Sequence, residues 1–330
     1  MITQITQEGA FDATLRRQIN ANFNNLSFVT QGNIWWVRPV NGSDSNDGKT
    51  SATAFKTCAA ALAAATANQN DIVLLCGEGN ALASATDFQA TTLNWNKDMV
   101  HLMGVNDGCM IGQRARIDAA TALPAFANLF VLSANACMIR DIEFFQGPGS
   151  TTLSAAQTAV TISGVRNRFV NCQISGIGDA TQDYAGSNSL TITGDENIFQ
   201  HCSIGLDTVI RSTATTEVVI SGTPARLIFE DCQFNSYTSL TTFKAVQIGT
   251  SVDRFVKFKN CEFSASVHLP SVGVPTGAIG ITTMNGQVML INPAIFGYAL
   301  ASTGGNAYVK VVTFQAGTSV QGIGQSAAAS

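Results

Sequence analysis

The stretch Phe169-Val-Asn-Cys172-Gln-Ile174 decides the fold, because it returns at a fixed interval. It recurs as Phe199-Gln-His-Cys202-Ser-Ile204, Phe229-Glu-Asp-Cys232-Gln-Phe234 and Phe258-Lys-Asn-Cys261-Glu-Phe263. An earlier copy reads Ile139-Arg-Asp-Ile142-Glu-Phe144, and a later, weaker one Leu290-Ile-Asn-Pro293-Ala-Ile295. Successive cysteines of the set are 30, 30 and 29 residues apart, a period that marks a chain built from stacked repeats.

Within the motif, parity carries the geometry. The aromatic three positions before the cysteine cannot share its face on one straight strand, because faces alternate with a period of two. Both are apolar, so the chain bends between them. The residue just before the cysteine position is Asp141, Asn171, His201, Asp231, Asn260 or Asn292. These residue types are the non-glycine ones most tolerant of the left-handed region. One such residue turns one strand into the next, and we read these positions as a corner ladder.

A second segment precedes each copy: Phe130-Val-Leu-Ser-Ala134, Val160-Thr-Ile-Ser-Gly164, Leu190-Thr-Ile-Thr-Gly194, Val218-Val-Ile-Ser-Gly222, Val246-Gln-Ile-Gly-Thr250 and Ile279-Gly-Ile-Thr-Thr283. It is short, β-branched and alternating, as strands are. Tight links such as Gly164-Val-Arg-Asn167 and Gly194-Asp-Glu-Asn197 follow, and Gly and Asn are read there as the suppliers of positive φ. Each coil is therefore strand, tight turn, strand, one-residue corner, strand, long loop.

Stacking such coils at a strand spacing of about 4.8 Å gives an all-β solenoid of three parallel sheets with three internal ladders. The first is Leu132, Ile162, Ile192, Ile220, Ile248 and Ile281. The second is Ile139, Phe169, Phe199, Phe229, Phe258 and Leu290. The third is Ile142, Cys172, Cys202, Cys232, Cys261 and Pro293. The cysteines are read as small buried hydrophobes. None of the eight cysteines forms a CxxC pair, so the spacing argues against zinc and thioredoxin-type chemistry. This order of strand, corner and rung resembles the right-handed parallel β-helix of the pectate-lyase type.

Composition agrees. The chain has 330 residues with 12% charged, 45% hydrophobic and a formal net charge of −4. That balance argues against disorder and against a nucleic-acid partner, which needs a basic face. The opening residues Met1 to Asn22 lack the apolar region of a secretory leader. The run Ala59 to Ala65 is far shorter than the ~20 residues of a membrane span. The expectation is a soluble protein with no membrane partner.

The ends read differently from the middle. Phe55, Cys58, Ala59 and Leu62 lie at i, i+3, i+4 and i+7, which predicts an amphipathic helix over Phe55 to Thr66. It would cover the open end of the first coil, as a solenoid requires. The segment "NGSDSNDGKTSATAFKTCAAAL…DIVLLCGEG" is similar to the opening of many β-helix proteins, including phage tailspikes. Gly42 to Thr50 falls short of a P-loop and Asp44 to Gly48 short of a calcium loop on spacing, so both are read as turns. Further upstream, Phe11, Leu15, Ile19 and Phe23 repeat every four residues. They define an amphipathic helix too short to be stable alone, read as an assembly arm. The phrase "GAFDATLRRQINANF" also resembles the openings of tailed-phage virion proteins. The expected organisation is an arm over 1–33, a lead-in strand and capping helix over 34–70, the β-helix over 71–315 and a tail over 316–330.

The sequence shows no paired carboxylates of the kind that polysaccharide lyases and glycosidases use. The position after the cysteine gives Glu143, Gln173, Ser203, Gln233 and Glu262, with the two acids four rungs apart. Asp179, Asp183, Asp207 and Glu217 sit in long loops and are read as solvated groups. Ser175 to Asn188, Gly205 to Glu217 and Ser264 to Gly277 form those loops on one edge, rich in small polar residues. No catalytic residue, cofactor or metal is expected. The arm, the low charge and the lack of a catalytic cluster, with the resemblance to phage β-helices, point to a non-enzymatic virion protein. It would be a capsid decoration or cement protein, homotrimeric, held by its arm to the major capsid protein or another virion protein. The alternative is a tailspike or fibre that binds, or cleaves, host glycan.

Overall fold

A computed structural model describes residues 32–78, 86–105, 115–119, 127–147, 155–249, 252–267, 273–304 and 308–312. The arm residues Phe11, Leu15, Ile19 and Phe23, the tail over 316–330, Cys109 and His268 lie outside them.

The described strands form three parallel sheets, of ten, eight and eight strands. One coil shows the plan. Thr158–Ile162 belongs to sheet III, Arg168–Val170 to sheet I and Gln173–Ser175 to sheet II. The next coil repeats it with Asn188–Ile192, Ile198–Gln200 and Ser203–Ile204. Each strand pairs with its counterpart one coil away, so the three sheets wrap around a single core.

Register places like residues over like. In sheet III, Leu132 pairs with Ile162, then Ile192, Ile220, Ile248 and Ile281. In sheet I, Ile139 pairs with Phe169, then Phe199, Phe229, Phe258 and Leu290. The phenylalanine rings lie almost parallel, with centroids 4.9, 4.7 and 5.0 Å apart down the column. Strand spacing sets that distance, and ring contacts add about 0.5–1.5 kcal/mol each beyond area burial. In sheet II, Phe234 stacks on Phe263 at 4.8 Å and meets Phe229 edge-on at 5.5 Å, which ties two sheets together across the core.

Each corner is one residue in the left-handed region. Asp141, Asn171, His201, Asp231, Asn260 and Asn292 have φ between 48° and 56°. Their backbone N–H groups donate to the neighbouring coil, as from Asn171 to the Gln200 carbonyl at 2.9 Å and from His201 to Glu230 at 3.0 Å. Their side chains also link, with Asn171 donating to Asp141 at 2.5 Å and Asn260 to Asp231 at 3.0 Å. Just past each corner lie Cys172, Cys202, Cys232 and Cys261, all buried, with free thiols. The N–H after each donates to the cysteine carbonyl one coil down, as from Ser203 to Cys172 and Gln233 to Cys202, both at 2.9 Å. Their thiols donate to nearby carbonyls, as from Cys232 to Glu230 at 3.3 Å. Burial raises the Cys172 and Cys232 thiols.

The tight turn between sheets III and I departs from expectation. Positive φ falls on Arg166 (60°) and Glu196 (57°), not on Gly164, Asn167, Gly194 or Asn197. The glycines are needed for space: a Cβ on Gly164 would lie 1.9 Å from the Ala134 carbonyl oxygen, and one on Gly194 2.0 Å from that of Gly164. The asparagines point inward and are fully buried. Asn197 accepts from the Asn167 N–H at 2.9 Å and donates to the carbonyls of Gly164 and Gly194, both at 3.0 Å. They satisfy backbone groups that the turn would otherwise strand in the core.

At the N-terminal end, Ile34–Val37 extends sheet I by pairing with Ile72–Cys76. The helix is shorter than predicted, Cys58–Ala64. Phe55 stays extended because its N–H donates to Trp36 and its carbonyl accepts from Arg38. Asp44 accepts the N–H groups of Lys56 and Thr57 at 2.8 and 2.9 Å, and Thr57 caps the helix. Lys97 donates to the Ala63 and Ala65 carbonyls at 2.8 and 2.6 Å, a cation where the helix dipole favours one. Cys58, Ala61 and Leu62 enter the core. Among the described residues, no helix is long and apolar enough to cross a membrane.

Candidate functional site: the loop edge and the outer face of sheet II

Long connections run from sheet II to sheet III along one edge. Function concentrates in such loops when a rigid scaffold presents them. The first carries a short 3-10 turn, Ala180–Gln182, closed by a capping box from Asp179. From this first loop Asp183 reaches the second, where its carboxylate accepts the N–H and hydroxyl of Ser212 (2.7 and 2.6 Å) and the N–H groups of Thr213 and Ala214 (2.9 and 2.8 Å). One loop is thereby fastened to the next.

Beneath them lies a group that sequence reading placed in solvent. Glu217 is fully buried and paired with Arg211, itself fully buried, at 2.9 Å. Its other oxygen accepts the Ser189 hydroxyl at 2.6 Å. The Arg211 guanidinium also donates to the carbonyls of Val209 at 2.7 Å, Leu206 at 3.3 Å, and Gly176 and Ile177, both at 3.4 Å. Burial raises the Glu217 carboxyl, while Arg211 and Ser189 pull it down. Parity conceals this: Glu217 starts a sheet III strand facing outward, but the loops fold over that face.

The outer face of sheet II holds the other carboxyls. Glu143, Gln173, Ser203, Gln233 and Glu262 do form one column. Glu143 is buried and held on both oxygens by Arg116, at 2.8 and 2.9 Å. The Phe145 ring lies under the guanidinium, 4.6 Å from its carbon. Beside them stands Asp118, buried and in register with Phe145. Desolvation pushes its carboxyl up to about 7, against the N–H groups of Gly147 and Ala119 and the charge of Arg116. Burial also raises Glu143, with Arg116 opposing. Asp87, inside the solenoid, is pushed up to about 6 by burial and accepts the Cys58 N–H at 2.9 Å.

Sequence reading missed Asp118, Asp87 and Arg211, because a strand flanked by few repeats gives no column to align. Neighbouring carboxyls whose surroundings shift their pKa values are the usual material of acid–base chemistry. Here both Glu143 oxygens already serve Arg116, and the pair braces the sheet. Among the described residues, no group of three or more His, Cys, Asp or Glu side chains is arranged to hold a metal ion. His101 accepts the Met138 N–H at 3.0 Å, and burial lowers its pKa.

Asp118 has a signed consequence. Its ordinary value is 3.8 and its folded value about 7, so the unfolded chain ionises first as pH rises. Stability from this group is complete well below pH 3.8 and is lost progressively up to about pH 7. Asp118→Asn is expected to gain on the parent by roughly 4 kcal/mol between pH 4 and pH 9. Each pH unit separating the folded and unfolded values is worth about 1.36 kcal/mol, and part of the loss has already occurred by pH 4. Urea unfolding at both pH values measures it, and a constant difference contradicts it.

No protein-family model matches this sequence, and a search of curated proteins finds no match. Solved structures share its fold. Pectin methylesterase PemA from Erwinia chrysanthemi superposes with a TM-score of 0.54 at 16% identity, over 87% of this chain and 90% of the other. Pectate lyase Pel9A gives 0.50 at 11%, over 86% and 80%. A Geobacillus virus E2 protein, ORF18, gives 0.41 at 10%, over 94% and 66%. At these identities the esterase and the lyase establish a shared β-helix fold and nothing about activity.

Proposed function

We propose that the chain is a non-enzymatic structural protein of a tailed-phage virion. In this reading it is a decoration or cement protein, attached by the arm residues Phe11, Leu15, Ile19 and Phe23 to the major capsid protein or another virion protein. It associates with itself, as a trimer, and its place is the virion. One observation supports this most: three acids of the loop edge and sheet II hold the scaffold together. Glu217 serves Arg211, Glu143 serves Arg116, and Asp183 serves four donors of the neighbouring loop. A surface built this way suits packing against other proteins.

A second reading is a tailspike or fibre that binds or cleaves host surface glycan. The Asp118 carboxyl, pushed up to about 7 by burial beside the Arg116–Glu143 pair, favours it. One experiment with two arms separates the readings. Full-length protein, and protein lacking residues 1–26, are mixed with capsids that lack it, and each is incubated with host lipopolysaccharide or capsule. The structural reading expects capsid binding by the full chain only, and glycans of unchanged size. Undiminished binding by the truncated chain overturns it, and shortened glycan establishes the second reading.

A further inference from the structure

Outward positions on sheet I flank the buried phenylalanine column, because faces alternate along a strand. One lane of them crosses seven strands: Met138 is in register with Arg168, then Ile198, Ile228, Lys257, Met289 and Lys310. None of the seven is buried. Three cations are thus set among four apolar side chains, with no acid in the lane. The charges around it are matched locally. Arg140 pairs with Asp141 and Lys259 with Glu230, Arg166 and Arg226 share Glu196, and Arg254 pairs with Asp253. On the borders, Asp98, Asp195 and Asp231 accept from Asn135, Ala225 and Asn260. Among the described residues, Arg168, Lys257 and Lys310 form no ion pair. Arg168 donates to the Gln200 side-chain oxygen at 2.7 Å, and the Lys257 ammonium lies 5.3 Å from the Phe255 ring centroid.

We propose that this lane seats an acidic, partly apolar surface of another virion protein. The inference deepens the structural reading above and rests on it. Charge complementarity selects the partner. Three cations that this chain leaves unmatched call for acids opposite them, at intervals of about 14 Å and about 10 Å set by the rung spacing. A second copy laid face to face would bring the same cations against one another near the symmetry axis. A nucleic acid or acidic glycan would supply the charge but leave Met138, Ile198, Ile228 and Met289 without apolar contact. Parallel ladders already hold these strands in place, so the face loses little entropy on docking.

The test is binding of the full-length protein to capsids that lack it, at low and at physiological salt. The parent is expected to bind more weakly as salt rises, and the Lys257→Glu/Lys310→Glu variant to bind less well than the parent by about tenfold or more at low salt. Lys49→Glu, exposed in the loop before the capping helix, is expected to match the parent. Should the double variant fail to fold, oxidative footprinting of the bound parent replaces it. Met138, Phe255 and Met289 are then expected to lose reactivity severalfold on binding, while Tyr184 on the loop edge (38% exposed) keeps its own.

Undiminished capsid binding by the folded double variant, or unprotected Met138 and Met289 in the bound parent, overturns the proposal and leaves the structural reading standing. Protection that grows with protein concentration in the absence of capsids also overturns it and gives the lane to a second copy. A parent that leaves capsids bare overturns the structural reading itself, and this inference with it.

Discussion

Arg211→Met is expected to destabilise the protein by about 3–5 kcal/mol, because it leaves the Glu217 carboxylate buried without its counter-charge. Both side chains are fully buried, and Glu217 keeps only the Ser189 hydroxyl as a close partner. Four backbone carbonyls across the two long loops lose their donor as well. The loss should be smaller at low pH, where Glu217, already raised by burial, takes up a proton and no longer needs the arginine. The double change Arg211→Met/Glu217→Leu should recover much of the stability, since a well-packed apolar pair often matches a buried ion pair. Denaturant unfolding of the parent, single and double variants measures these differences, and proteolysis within 176–188 and 205–216 reports whether the loops have come loose. A single variant within about 1 kcal/mol of the parent would show that water reaches Glu217 and that the loops are held by other contacts.

The second large effect lies in the aromatic column. Phe229→Ala is expected to lower stability by about 3–5 kcal/mol. The ring is fully buried, stacked on Phe199 at 4.7 Å and Phe258 at 5.0 Å, and met edge-on by Phe234. The backbone around it cannot collapse into the space, because parallel hydrogen bonds to both neighbouring coils hold the strands at their spacing. Phe229→Leu, which keeps most of the volume, should cost about 1–2 kcal/mol. Thermal and urea denaturation test this, and a loss below about 1 kcal/mol for the alanine variant would mean that the neighbouring coils close over the gap and the column is not a main source of stability.

The repeat was legible because solenoid register converts a period in sequence into a column in space. Six residues at the corner position share a tolerance for positive φ, and that chemistry alone located the bend between two strands. The same logic failed where chemistry is shared by different needs. Gly164 and Asn167 look like turn residues, yet one is there for close backbone approach and the other for hydrogen bonding inside the core. It failed again at Glu217, whose outward parity predicts solvent but whose covering loop comes from the preceding coil. Arg211 lies in a loop of variable length, so no period points to it. Asp118 has no repeated counterpart, and its burial depends on neighbours from other strands. What repeats along this chain is legible; what occurs once and is covered by something distant in sequence is not.

The corner residues have one more implication. Since each winding touches only those directly beside it, a whole winding removed or duplicated between two corners, such as Asn171 and His201, would leave every other junction in register. The reach of the rod is thus graduated in steps of about 4.8 Å. Homologues built on this plan would be expected to differ in length by complete windings, much as rulers cut from one stock differ by whole divisions.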